Sequence, residues 1–449
     1  MKVHFIAIGG SAMHNLAIAL HQKGYEVTGS DDVIFEPSSS RLAKYGLLPR
    51  QEGWDVTNIH ADLDAVILGM HARIDNPELL KAQEIGLRIY SYPEYIYEQS
   101  KDKLRVVIGG SHGKTTITSM ILHVLNYYQK DFDYLVGAQL AGFETMVKVT
   151  DTAPVIIIEG DEYLASPIDR RPKFHLYHAN LAVISGIAWD HINVFPTFGE
   201  YISQFDKFIG TIFPNGKLIY CELDSELKKI VENSSAPIQK IPYQIPPHKV
   251  VDGITFLLPN TPLNIFGNHN LMNLNAALLV CKQLGIEEDE FRSAITSFTG
   301  AAKRLELLNS INNTNVYKDF AHSPSKLKAT IDAVKAQFSD RKLVACMELH
   351  TFSSLNSAFL KQYKNTMDKA DIRMVYVDEK TFIHKKMEPL SAAVIRDAFS
   401  DPNLLFFNDS DTLESYLRSL NFDHTNLLLM SSGNFGGMDL INLAYDLTS

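Results

Sequence analysis

Short apolar runs that end in glycine or small polar residues alternate along most of this chain with apolar residues at helical spacing. A strand buried on both faces reads as a continuous apolar run, so this alternation predicts parallel α/β domains. Residues 3–8 predict a strand that turns at Gly9-Gly10 into a helix carrying Met13, Leu16, Ala17 and Leu20. Residues 26–29 predict a second strand ending at Ser30-Asp31, and 65–68 a third ending at Gly69-Met70-His71. The run at 106–108 turns at Gly109-Gly110 and enters a helix at Lys114-Thr115-Thr116, continued by Ile117, Met120, Ile121 and Val124. Strands are also predicted at 155–158 and 181–184, followed by a Pro-rich connector at 241–247 and a helix starting near His269. After Gly300 come strands at 316–320, 343–347, 374–377 and 427–430, with helices between them. No internal repeat or low-complexity segment interrupts the pattern. The expected fold class is α/β, divided at 1–103, 104–301 and 302–449.

A chain of 449 residues, 45% hydrophobic, can bury a large core and fits about three domains. Its formal net charge of −10 argues against a nucleic-acid partner or an anionic membrane surface. A nucleotide enzyme stays open, because phosphate sites are local. No apolar run approaches a membrane span; LAVISGIAW at 181–189 is far too short. Met1-Lys2 leads straight into a strand without a cleavage-site pattern, so no signal peptide is expected. Cys221, Cys281 and Cys346 are odd in number, widely spaced and set among apolar residues. They are expected as reduced core thiols of a cytoplasmic protein, not as a metal site or a disulfide framework.

The richest chemistry lies in RVVIGGSHGKTT at 105–116. Strand, glycine turn, Gly-Lys-Thr-Thr and helix together make a phosphate loop. Glycines let backbone N–H groups turn inward on an anion, and the helix N-terminus adds its partial positive charge. Gly110, Ser111, His112, Gly113 and Thr116 would form the cradle, Lys114 would meet the β- and γ-phosphates, and Thr115 would give a hydroxyl to Mg²⁺. The bland alternative is a glycine turn capping an ordinary helix.

Other positions carry chemistry beside a structural reading. The opening turn AIGGSAMHNLA, followed by Asp31 at the end of the second strand, resembles a dinucleotide fingerprint in which Ala7 and Ala12 replace glycines; the same geometry seats a UDP pyrophosphate. Glu159-Gly160-Asp161-Glu162 follows a strand near the phosphate loop, where a hard cation finds oxygen ligands, and Trp189-Asp190-His191 could bring a second set. Surface acids and a helix-capping Asp-His pair are the alternative. Asn270 and Asn273, three apart at a helix start, can offer amides to a purine edge or simply cap the helix. Lys303-Arg304 precedes the third block. Asp319 and His322 in Asp319-Phe320-Ala321-His322-Ser323-Pro324 project from a strand's carboxyl end, while Ser323 and Pro324 read as the start of the next helix.

Taken in order, VTGSD at 27–31, GSHGKTT at 110–116, EGDE at 159–162, DH at 190–191, GNHNLMN at 267–273, KRLELL at 303–308 and DFAHSP at 319–324 resemble the Mur ligase family, the ATP-dependent amide ligases of peptidoglycan assembly. The resemblance covers essentially the whole chain. It implies a Rossmann-like UDP-binding domain, a central P-loop ATPase-like domain and a C-terminal Rossmann-like domain that binds the acceptor. It further implies that Lys114, Glu159, His191, Asn270, Asn273, Arg304 and Asp319 form the catalytic and ATP-binding set, with Mg²⁺ on Thr115, Glu159 and His191. Asp319 would hold the ATP ribose and His322 would lie near the attacking amine. Gly9, Gly10, Ser11, Met13, Ser30, Asp31 and His71 would hold UDP-N-acetylmuramate. Within the family, VTGSDDVIFEPSSSRLAKYG at 27–46, EGDEYLASPIDRRPKF at 159–174 and SSGNFGG at 431–437 resemble the branch whose acceptor is L-Ala-γ-D-Glu-meso-diaminopimelate. The branch that adds L-alanine is the alternative: His350-Thr351-Phe352-Ser353-Ser354 is similar to its HTF/YSR stretch, with Ser354 in place of Arg. Asn434 replaces a Gly of the peptide-adding pattern. The glycines around Phe435 are expected to leave backbone N–H groups for an acceptor carboxylate, against the alternative of an ordinary strand-to-helix turn.

Overall fold

The computed structural model describes residues 1–448 other than 141, 302, 303 and 386; Lys303 of the KRLELL motif thus lies outside the described residues. The chain forms two compact units. The first takes Met1–Ile187, Thr197–Gln244 and Ala276–Glu288, and the second Ala188–Pro196, Ile245–Asn275 and Asp289–Ser449.

The first unit carries two sheets. β1 (Lys2–Ile6), β2 (Glu26–Ser30), β3 (Ala65–Leu68) and β4 (Ile89–Ser91) pair in the order β2-β1-β3-β4, all parallel. The order reverses between β1 and β3, the position at whose carboxyl ends α/β sheets generally hold ligands. β1 stops sooner than expected because Ala7 turns into the left-handed region, φ 68°, the conformation the missing fingerprint glycine would adopt at no steric cost.

The second sheet holds β5 (Leu104–Gly109), β6 (Asp133–Leu135), β7 (Val147–Lys148), β8 (Val155–Glu159), β9 (Leu181–Ile184), β10 (Lys217–Cys221) and β11 (Gln239–Tyr243). Their order is β11-β10-β9-β5-β8-β6-β7, and only β7 runs antiparallel. β5 lies in the middle with Val106, Val107 and Ile108 fully buried, as an uninterrupted apolar run requires. The Pro-rich connector at 241–247 is half strand: Pro242 sits in β11 opposite Tyr220. β11 is an edge strand, where a missing N–H leaves no ladder partner stranded.

In the second unit, β12 (His248–Val251), β13 (Ile254–Leu257) and β14 (Thr261–Leu263) form a small antiparallel sheet. β15 (Glu306–Ile311), β16 (Thr314–Asp319), β17 (Lys342–Glu348), β18 (Ile372–Tyr376), β19 (Leu405–Phe407) and β20 (Thr425–Met430) form a six-stranded sheet in the order β15-β16-β20-β17-β18-β19. β15 pairs antiparallel with β16 across a turn at Asn312, φ 53°. Its half-exposed sequence ELLNSI has no continuous apolar run, so the pattern did not reveal it. The three cysteines are buried and none is in a disulfide, and no described helix is long and apolar enough to cross a membrane.

Candidate active site

The phosphate loop joins β5 to the helix Lys114–Tyr127. Gly110 turns at φ 122° and a Cβ there would meet Ser185 Oγ at 2.2 Å, so glycine is required. The helix starts at Lys114 itself, which places Ser111, His112 and Gly113 over its positive end. Lys114 Nζ donates to the Gly110 carbonyl at 2.7 Å and to Glu162 Oε2 at 2.7 Å. Burial alone would push this ammonium toward neutrality, but Glu162, Asp161 and Glu159 outweigh it and hold its pKa above the ordinary lysine value. Glu162 is buried and accepts from Tyr201 Oη at 3.0 Å, and Tyr201 Oη lies 2.9 Å from Ser111 Oγ. A closed polar circuit thus runs from the loop through Glu162 and back to the loop. Thr116 is buried in the first turn of the helix.

Thr115 Oγ1 donates to Glu159 Oε1 at 2.8 Å, and the Gly137 amide donates to Glu159 Oε2 at 2.8 Å. A hydroxyl and a carboxylate oxygen side by side are the ligand types a hard cation takes. Among the described residues no group of three His, Cys, Asp or Glu side chains is disposed to hold a metal. A cation on Thr115 and Glu159 would complete its shell with water and phosphate oxygens. Lys173 donates to Asp161 at 2.7 Å.

At the first turn the Gly9 amide donates to Asp31 Oδ2 at 2.7 Å, and burial pushes the Asp31 carboxyl up to about 6. Asp31 therefore holds the turn itself. Gly10 caps the helix Ser11–Gln22; Ser11 is exposed at its start and Met13 is buried. The Ser30 hydroxyl was expected toward a substrate, but it donates inward to Glu78 Oε1 at 2.7 Å in a buried cluster with His4. His71 lies exposed on the loop after β3.

The second unit holds the remaining residues. Asp319, at the end of β16, is buried; its two oxygens accept the Leu305 and Ala321 amides at 2.7 Å each. Burial raises its pKa, and Arg304 only partly opposes this. The Arg304 guanidinium lies 4.9 Å from the centre of the Phe320 ring. Burial, reinforced by Arg304, holds His269 down at about 4. Asn270 spends an amide hydrogen on the Phe266 carbonyl at 3.0 Å, and Asn273 is buried. His322 Nδ1 lies 2.8 Å from the Phe320 carbonyl, and burial together with Lys326 lowers its pKa to about 4. The imidazole is neutral near pH 7, and an Nδ1 proton on that carbonyl leaves a lone pair on Nε2. Burial works against the Asp190 charge, yet His191 and Lys326 hold this carboxyl at about 2. Lys326 Nζ is 3.9 Å from Asp190 Oδ2, and the Asp190 carboxylate accepts the His191 amide at 2.8 Å.

Three of the backbone amides expected to be open to an acceptor carboxylate at 431–437 are already bonded within the protein. The Gly433, Phe435 and Gly437 amides donate to Ser431 Oγ, Glu348 and the Asn434 carbonyl. Tyr201, Lys326 and the Gly137 amide were not singled out in the sequence. Tyr201 enters from the helix Phe198–Thr211, far from the loop it braces. Lys326 had a local signal, one helical turn past His322.

Comparison with known proteins places these features. Residues 2–103 match the Mur ligase family catalytic domain and residues 108–281 the Mur ligase middle domain. A UDP-N-acetylmuramate–L-alanine ligase of Caldicellulosiruptor bescii is 31% identical over 82% of this chain and 82% of its own length. A UDP-N-acetylmuramate–L-alanyl-γ-D-glutamyl-meso-2,6-diaminoheptandioate ligase of Escherichia coli is 25% identical over 98% of this chain and 96% of its own. In fold, the chain is similar to the murein peptide ligase of Psychrobacter arcticus (TM-score 0.65, 22% identity, 100% of this chain and 99% of that one). It is also similar to the UDP-N-acetylmuramate–alanine ligase of Thermotoga maritima (TM-score 0.68, 20% identity, 100% and 98%). The chain belongs to the Mur ligase family and is an ATP-dependent acid–amino-acid ligase.

Proposed function

We propose that the enzyme joins the lactyl carboxylate of UDP-N-acetylmuramate to the amino group of L-Ala-γ-D-Glu-meso-diaminopimelate, as expected of peptidoglycan recycling. A carboxylate is a poor electrophile. Its oxygen attacks the γ-phosphorus of ATP, ADP departs, and the acyl phosphate is then attacked by the amine, which loses a proton as phosphate leaves and the amide forms. Phosphoryl transfer needs positioning and charge neutralisation, and Lys114 at the helix N-terminus supplies both. Thr115 and Glu159 would hold Mg²⁺, which would neutralise phosphate charge when bound. His322, neutral near pH 7, has a lone pair that can take the amine proton; Arg304, Asp319, Asn270, Asn273 and His191 fill the remaining catalytic and nucleotide-binding roles. In this reading 1–103 binds the sugar nucleotide through Gly9, Gly10, Ser11 and Met13, 104–301 binds ATP, and 302–449 brings the acceptor.

One observation carries the tripeptide reading. Ser354 stands where the L-alanine-adding pattern has Arg, and it is fully buried with its hydroxyl bonded to Thr351 at 3.0 Å. It offers no cation to the carboxylate of a small amino acid. The second reading, L-alanine as acceptor, is favoured by the L-alanine ligase at 31% identity. Mass spectrometry of the product made from UDP-N-acetylmuramate, Mg²⁺-ATP and both acceptors together separates them. The tripeptide adduct is expected, and an L-alanine adduct in its place would contradict the proposal.

A further inference from the structure

Resting on the reading above, in which the sugar nucleotide occupies the Gly9-Gly10 turn and a cation occupies Thr115 and Glu159, we propose that Asn15 is a positioning residue that couples the two. Asn15 is fully buried in the helix that opens at that turn. Its Nδ2 donates to the Ser11 carbonyl at 2.8 Å and lies 2.9 Å from His14 Nε2. Its Oδ1 leaves the helix altogether and accepts the Met146 amide at 2.9 Å. A buried asparagine so bonded fixes both its helix and a distant backbone, since either amide group left unpaired would cost its desolvation.

Met146 closes the base of the excursion between β6 and β7, where its carbonyl accepts the Val136 amide at 2.9 Å. The next residue is Gly137, whose amide holds Glu159 Oε2, while Glu159 Oε1 takes Thr115 Oγ1. Asn15, Met146, Val136, Gly137, Glu159 and Thr115 thus form one continuous run of hydrogen bonds and adjoining backbone. Its near end touches the turn as well: Ser11 Oγ lies 4.0 Å from Met146 Sδ. Its far end has little slack, because a Cβ on Gly137 would meet Glu159 Oε1 at 2.8 Å. Two contacts from the segment after β2 hold the same excursion: Arg41 donates to Gln139 at 2.9 Å, and Lys44 to Glu144 at 2.7 Å. A ligand that shifts the start of the first helix therefore moves the Gly137 amide, and with it the carboxylate that meets the cation.

The test is the affinity for a non-hydrolysable ATP analogue with Mg²⁺, measured with and without saturating UDP-N-acetylmuramate. In the unaltered enzyme the sugar nucleotide is expected to tighten analogue binding at least about fivefold. In Asn15→Leu each ligand alone should bind within about threefold of the unaltered enzyme, while the tightening falls to about one. Gly137→Ala, at the other end of the run, should lose the tightening too, and the double variant should lose no more than either alone. A role confined to helix packing would lower thermal stability in Asn15→Leu and leave the tightening intact, which would overturn the proposal. So would an unaltered enzyme without tightening. If Asn15→Leu does not fold, Gly137→Ala decides, and tightening retained there contradicts the coupling. No binding of UDP-N-acetylmuramate by the unaltered enzyme would instead remove the underlying reading, and the proposal with it.

Discussion

The Lys114 ammonium and the buried Glu162 carboxylate lie 2.7 Å apart. Each is held from a second side, Lys114 by the Gly110 carbonyl and Glu162 by Tyr201. A lysine that neutralises phosphates is thereby also the partner of an interior acid. Lys114→Ala removes a charge that acts in the transition state and should lower turnover by about two to four orders of magnitude. It also strands Glu162, at a cost of about 3 kcal/mol in stability. Lys114→Ala combined with Glu162→Gln should recover most of that stability and none of the turnover. Denaturant unfolding beside steady-state rates checks both halves; recovery of activity in the double variant would contradict the role of Lys114.

Gly10 offers a clean probe of the first turn. Its φ of −56° suits any residue, and the nearest atom to a built Cβ is 3.5 Å away. Gly10→Val should fold normally. It should raise KM for UDP-N-acetylmuramate by about tenfold or more by blocking backbone approach to the pyrophosphate, with KM for ATP nearly unchanged. Equal damage to both constants in a variant with unaltered circular dichroism would mean the two nucleotides do not divide as proposed.

Gly436 is the opposite case. It lies at φ 69°, and a Cβ there would meet Tyr376 Oη at 2.5 Å. Gly436→Val should cost about 2 kcal/mol or more, through strain and the clash. Thermal unfolding checks this. Phe435, next to Gly436, is fully buried, so the substitution disturbs the packing of this turn first.

His175 gives a pH dependence. It is buried with Nε2 2.7 Å from the Gln204 carbonyl, and burial lowers its pKa from about 6.5 to about 4. The folded chain resists the proton that the unfolded chain accepts. Stability contributed by the neutral ring is therefore complete above pH 6.5 and is lost as pH falls from there toward 4. His175→Gln keeps a donor for the carbonyl and cannot titrate. Between those limits the unaltered protein should lose about 1 kcal/mol more per pH unit than the variant. Parallel loss in both would place the titrating groups elsewhere.

The parallel core was legible because strands such as β8 and β9 carry unbroken runs of four apolar residues, and Gly110-Lys114-Thr115 announces itself locally. β15 and the small β12–β14 sheet were not, since Asn309 and Ser310 interrupt β15, His248 and Lys249 open β12, and β14 is only three residues long. Within the candidate site the sequence identified side chains but not their commitments. Ser30 turns inward and Asp31 holds its own turn, because the burial that decides this comes from distant Glu78 and from the packing around Gly9. Tyr201 stayed hidden for the same reason, its partners being 90 and 39 residues away.

That the enzyme takes the tripeptide as acceptor is tested by paired kcat/KM values for L-Ala-γ-D-Glu-meso-diaminopimelate and free L-alanine, with UDP-N-acetylmuramate and Mg²⁺-ATP saturating. Phosphate release should favour the tripeptide by at least ~100-fold, about 2.7 kcal/mol in transition-state binding. Efficient use of free L-alanine, at or above the tripeptide value, would contradict that claim and leave the enzyme an L-alanine-adding member of the same family.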